Sequence, residues 1–245
     1  MRTLQRVGAV ALREWRSSFN SPVAYVFVVM FLILNAFFTF FVSRFYEAGQ
    51  ADLRPFFIWH PWIYLIFVPA VAMRTWAEER RSGTVELLFT LGITPAEAVL
   101  GKFLSAWGVI GLALLLTATI PGTAAYLGSP DWGVVLTGYL GSFLMAGTYL
   151  ALGMFCSALT RSQVVSFILA TVAGLFVVLI GFDPVTGILS RFLPSGVVEA
   201  VAAASILPHF EATARGVLDV RDLVYFGSTV TFLLYATTQA VNQRG

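Results

Sequence analysis

Gln163-Val164-Val165-Ser166-Phe167-Ile168-Leu169-Ala170-Thr171-Val172-Ala173-Gly174-Leu175-Phe176-Val177-Val178-Leu179-Ile180-Gly181-Phe182 contains no charged residue. Coiled at 1.5 Å per residue, it reaches about 30 Å, the thickness of a bilayer's hydrocarbon core. A helix on the surface of a soluble protein would show a polar face, and this one has none. Strands of a membrane barrel would alternate over about 10 residues. The stretch therefore reads as a transmembrane helix. Outward from it, the same reading applies to about 22–43, 57–74, 100–127, 131–158 and 222–241, six spans with 163–182. The fold class is all-α integral membrane. Composition agrees, with 58% hydrophobic and 11% charged residues against about 25% charged in soluble proteins. These figures exclude a free cytosolic enzyme, a secreted disulfide scaffold and a nucleic-acid binder. Cys156 is the only cysteine, so no intrachain disulfide can form.

Several spans carry helix-start signals. Ser21-Pro22 and Ser129-Pro130-Asp131 place a Ser cap before Pro, the second with an acid in the first turn, and Thr94-Pro95-Ala96-Glu97 reads as a capping box. Ser162 and Asp219 are further caps. Arg2, Arg6, Arg13, Arg16, Arg74, Arg80, Arg81, Lys102, Arg161 and Arg244 fall on one side of the six spans. The other side holds Arg44, Arg54, Arg191, Arg215 and Arg221, diluted by eight of the 13 acids. The positive-inside rule then puts both termini in the cytoplasm. Residues 1–21, with four arginines among Leu4, Val7, Val10, Ala11 and Trp15, read as an interfacial helix and a first unit before a single domain, 22–245. A cleavable signal peptide would need a shorter apolar run and a small-residue cleavage site. Segment 183–221 is cut by Pro184, Pro194 and Pro208 and reads as short re-entrant or interfacial helices on the outer face.

What the spans lack is informative. Their interiors hold no Asp, Glu, Lys, Arg or His, whereas ion-coupled transporters and intramembrane enzymes keep such groups there. His60 and His209 are expected at the outer interface, without a partner at metal-ligand spacing. No G-x-x-x-x-G-K-[ST] loop occurs, so energy for any uphill work must come from another polypeptide. Gly138, Gly141, Ser142, Ala146, Gly147, Ala151 and Gly153 give the fourth span small residues at close-packing spacing.

The loop 75–99 holds the chain's one run of four consecutive charged residues. In Met73-Arg74-Thr75-Trp76-Ala77-Glu78-Glu79-Arg80-Arg81-Ser82-Gly83-Thr84-Val85-Glu86-Leu87-Leu88-Phe89-Thr90-Leu91, four charged residues run consecutively at 78–81. The second span should leave the lipid near Arg74 and end at Gly83 in a left-handed turn. Thr84 can cap a short helix with Glu86 in its first turn and Val85, Leu88, Phe89 and Leu91 on an apolar face. Gly92 would end that helix. Such an element either docks a soluble partner or lies on the headgroups.

At these residues the chain resembles the permease subunits of type-2 ABC transporters, in particular the gliding-motility-associated subfamily. The resemblance rests on Asn20-Ser21-Pro22-Val23-Ala24-Tyr25, on Pro69-Ala70-Val71-Ala72-Met73-Arg74 and most specifically on Trp76 to Leu88. Gly101-Lys102-Phe103 and the run from His209 to Asp219 also match, while Gly92 stands where the family pattern usually has Pro. The resemblance implies a six-span permease with an N-terminal interfacial helix and a coupling helix between spans two and three. That helix would sit in a cleft of an ATP-binding subunit. Two permease chains and two such subunits would form an exporter of a bacterial inner membrane, with ATP and Mg bound by the partner and no cofactor or catalytic residue in this chain. The residues expected to couple are Arg74, Glu78, Glu79, Arg80, Arg81, Gly83, Thr84, Glu86, Leu87, Leu88 and Phe89. The outer segment contributes Pro194, His209, Phe210, Glu211 and Arg215. Rival readings are a mechanotransmitting subunit acting on a periplasmic accessory protein, a secondary transporter and a structural anchor.

Overall fold

The computed structural model describes residues 2–49, 51–84 and 92–243, and every regular element within them is helical. The order is α1 Arg2–Phe19, α2 Pro22–Phe37 extended by a π turn Phe38–Val42, α3 Phe45–Ala48, α4 Arg54–Phe57, α5 His60–Ala72 and α6 Arg74–Ser82. There follow α7 Pro95–Leu116, α8 Thr119–Leu127, α9 Trp132–Leu159, α10 Gln163–Leu179, α11 Asp183–Leu189, α12 Ser195–Ala203, α13 Ile206–Ala214 and α14 Val220–Asn242.

Among the described residues, Ala24–Glu47, Arg54–Ser82, Pro95–Leu127 and Trp132–Leu159 are long and apolar enough to cross a membrane. A fifth crossing forms if α10 and α11 act as one span across their 68° bend. The sixth expected span is only partly matched. At 23 residues α14 is long enough, yet Arg221, Asp222 and its Ser, Thr and Gln residues keep it below the apolarity of the others.

Local chemistry sets several helix ends. Thr94 and Glu97 form the capping box, with the Glu97 N–H donating to Thr94 Oγ1 at 3.3 Å and the Thr94 N–H to Glu97 Oε2 at 2.9 Å. Ser162 and Asp219 cap α10 and α14. At α9 the cap is Asp131, which accepts from the Gly133 N–H at 2.8 Å, so Ser129 and Pro130 lie outside the helix. A carboxylate one residue from the first turn reaches the free N–H groups that Ser129 cannot.

Helix α9 is the central post, packed by α5, α7, α10, α13 and α14. Its small residues permit the approach. A Cβ on Gly153 would stand 2.5 Å from Ala72 Cβ, and one on Gly138 would meet the Phe57 ring. Trp107 of α7 stacks on Phe143 of α9 at 4.1 Å and donates its indole N–H to the Phe143 carbonyl at 2.9 Å. Helix α1 does not rest on lipid alone. Val7 and Val10 are buried against α7, where a Cβ on Gly101 would come within 2.7 Å of Val10, while Leu4 faces outward. Segment 183–221 forms the short helices α11, α12 and α13. The last enters the bundle, burying Ile206, Leu207, Phe210 and Thr213, and Ser205 ties its start to the Val177 carbonyl at 2.7 Å.

Candidate functional site

The charged run lies on α6, which continues α5 past Met73. A new helix start leaves backbone N–H groups unpaired. Here a distant side chain satisfies two of them: Ser157 Oγ of α9 accepts from the N–H groups of Trp76 at 3.1 Å and Ala77 at 3.0 Å. The same hydroxyl donates to the Met73 carbonyl at 3.0 Å. Trp76 and Ala77 are fully buried, so α6 is held rigidly to α9.

Glu79 turns inward from the other side of α6. It accepts from Lys102 Nζ of α7 at 2.7 Å, and the same ammonium lies 3.4 Å from Glu14 Oε1 of α1. Lys102 is 3% exposed and sits over the Trp76 ring at 5.1 Å. An unpaired ammonium there would cost several kcal/mol, so the two carboxylates and the indole face hold it in place. Arg80 donates to the Ala240 carbonyl at 2.9 Å, near the end of α14 where helix carbonyls lack intrahelical partners. Glu78 and Arg81 remain exposed, Glu78 paired with Arg74 at 3.3 Å. The four charges expected to act together thus divide into two facing outward and two holding α6 to α1, α7 and α14.

Gly83 ends α6 with φ of 73° and Gly92 adopts φ of 74°, the left-handed geometry a stop demands. Thr84 is exposed, its hydroxyl 2.9 Å from Ser82 Oγ. Glu86, Leu87, Leu88 and Phe89 lie outside the described residues.

The outer residues separate. His60 is fully buried among Phe31, Phe56, Tyr64 and Phe210, with Nδ1 3.0 Å from the Phe56 carbonyl. His209 does have a partner. Its Nδ1 lies 2.6 Å from Asp222 Oδ1 and its ring stacks on Tyr225 at 4.0 Å. Phe210 is buried, Glu211 and Arg215 pair on the exposed side at 2.9 Å, and Pro194 precedes α12 on the surface. Glu14, Lys102 and Ser157 are the site residues that sequence reasoning missed. The available signals were an acid among arginines in α1 and a lysine at the end of an otherwise uncharged span.

The fold and this site define a multi-pass helical membrane protein whose second long helix ends in a charged stretch, α6. A family model described as "ABC-2 family transporter protein" matches residues 48–210, two thirds of the chain, and the chain belongs to that family. It is the permease component of an ABC transporter, without catalytic activity of its own, and it works with an ABC ATP-binding subunit. No curated protein matches the chain.

Proposed function

We propose that the chain is the six-span permease of an ATP-driven exporter in a bacterial inner membrane, with both termini cytoplasmic and α14 as the sixth span. Two copies of the permease and two ATP-binding subunits form the working unit, and ATP and Mg are bound by the latter. Closure of the ATPases pushes on residues 78–91. Glu78 and Arg81 meet the partner at the rim, Leu87, Leu88 and Phe89 anchor it, and Glu79 and Arg80 pass the displacement to α1, α7 and α14. The observation that carries this reading is the anchoring of α6. It leads directly into the coupling segment and is tied to four other helices through Ser157, Lys102 and Arg80. A push on a rigidly held helix moves the helices it is tied to. Without those ties it would dissipate in the loop.

The test is ATPase stimulation and subunit co-purification of the assembled complex with Glu86→Ala or Leu88→Asp. We expect stimulation to fall about thirtyfold for Leu88→Asp, because an apolar anchor of this kind contributes about 2 kcal/mol, while the permease stays folded. Unchanged stimulation in both variants would remove the assignment. A mechanotransmitting role uses the same coupling. It is favoured by apolar side chains on the outer segment, Phe192 at 81% exposed and Val217 at 57%. ATPase activity insensitive to any cargo but sensitive to a periplasmic protein would select it.

A further inference from the structure

A cleft of about 430 Å³ opens between α1, α2, α5, α6 and α7, with Lys102 in its lining. That volume is within the usual range for small-ligand sites. The lining divides into two parts. Toward α1 and α6 it is polar, with Arg13, Ser17 and Glu78; toward the spans it is apolar, with Phe27, Phe67 and Val109. The cationic groups are unequal. Lys102 is paired with two carboxylates, Glu14 and Glu79, and Arg74 with Glu78. Arg13 forms no ion pair among the described residues and is exposed at the mouth.

We propose that this cleft binds a glycerophospholipid from the adjoining leaflet. The headgroup phosphate is held by the Arg13 guanidinium and the Ser17 hydroxyl, and the upper acyl chain lies along Phe27, Phe67 and Val109. Three features favour this occupant over a soluble anion or a plain hydrocarbon. Arg13, the basic residue of the lining without an ion pair among the described residues, sits at one end and offers a charge-assisted contact to a phosphate. The other end is apolar and would exclude a free ion. The helices forming the cleft include three that cross or enter the bilayer, so the surrounding lipid supplies the ligand at high local concentration. The headgroup would rest beside the Lys102–Glu79–Glu14 junction, so that an occupied cleft braces α6 against α1. The cleft shares Glu78 and Glu79 with the segment proposed to couple, but its labelling test reads lipid contact and does not depend on the export reading.

The complex is reconstituted in vesicles of phosphatidylethanolamine and phosphatidylglycerol. They contain a trace of phospholipid with a diazirine near the top of one acyl chain. After photolysis the adducts are mapped by peptide. Adducts are expected to concentrate on 24–28, 67–71 and 105–110, relative to the lipid-facing residues Ile168 and Val172. Arg13→Glu, an exposed change that leaves packing intact, should lower them about tenfold, as loss of a charge-assisted phosphate contact predicts. Ala106→Trp, which fills the cleft, should abolish them while the ATPase subunit still co-purifies. If Ala106→Trp fails to assemble, the Arg13→Glu result decides. The proposal is overturned if the cleft peptides are labelled no more than those of Ile168 and Val172, or if Arg13→Glu leaves the labelling unchanged. It is equally overturned if a diazirine fatty alcohol without phosphate labels the cleft as strongly as the phospholipid.

Discussion

One ammonium group, Nζ of Lys102, joins three helices distant in sequence. Its carboxylate partners, Glu14 and Glu79, are 27% and 19% exposed at the side chain, so water screens them only in part. Removing the cation leaves two carboxylates facing each other in a partly dry site. Lys102→Met should therefore destabilise the permease by about 3 kcal/mol, measured by equilibrium unfolding in mixed micelles. Adding Glu79→Gln should recover part of that loss, with a coupling energy on the order of 1–3 kcal/mol. Costs that simply add would show that the pair does not hold the helices together. Ser157 is equally economical, since a single hydroxyl accepts two N–H groups and donates to one carbonyl.

Between elements, contact distance is set by glycine. On α9, Gly141 stands against Thr213 of α13, with no room for a methyl group between them. On α14, Gly227 has nothing within 4 Å. Gly141→Val should cost about 2–3 kcal/mol by overpacking and push α13 out of the bundle, seen as protease access to the 206–214 segment. Gly227→Ala should stabilise by up to about 1 kcal/mol through helix propensity alone. Equal effects at the two positions would mean that α13 is not wedged against α9. Both glycines sit inside long helices and neither is marked out by its neighbours in sequence. Only the placement of α13 separates them. In contrast, the capping box at Thr94 and the stop at Gly83 were legible beforehand, because each is completed within a few residues of chain.

At the scale of the molecule, the apolar windows are unequally covered: 17% buried in Ala24–Glu47 against 72% in Trp132–Leu159. The first long helix therefore lies at the periphery of the bundle, while α9 lies at the centre. The arrangement puts Ser17 and Gln243 at the α6 end and Ser195 on the outer segment, each exposed. In a Cys156→Ala background, Ser195→Cys should react with an impermeant maleimide in intact spheroplasts. Ser17→Cys and Gln243→Cys should react only after permeabilisation. Labelling of Gln243→Cys from outside would mean that α14 does not cross, leaving an odd number of spans.

Hydropathy along the chain determined by itself that this is a helical membrane protein, and short-range sequence signals marked several helix ends and the run of four charges at 78–81. These are matters of transfer free energy and of contacts between near neighbours, both written locally. Tertiary structure decided which of those charges face outward. Glu79 meets Lys102 and Arg80 meets the end of α14, His60 is enclosed by rings from three other helices, and His209 finds Asp222. Each pairing closes over a separation in sequence that no local pattern encodes. It forms because a charged or polar group leaving water must find a partner wherever the packing of α9 against its neighbours brings one.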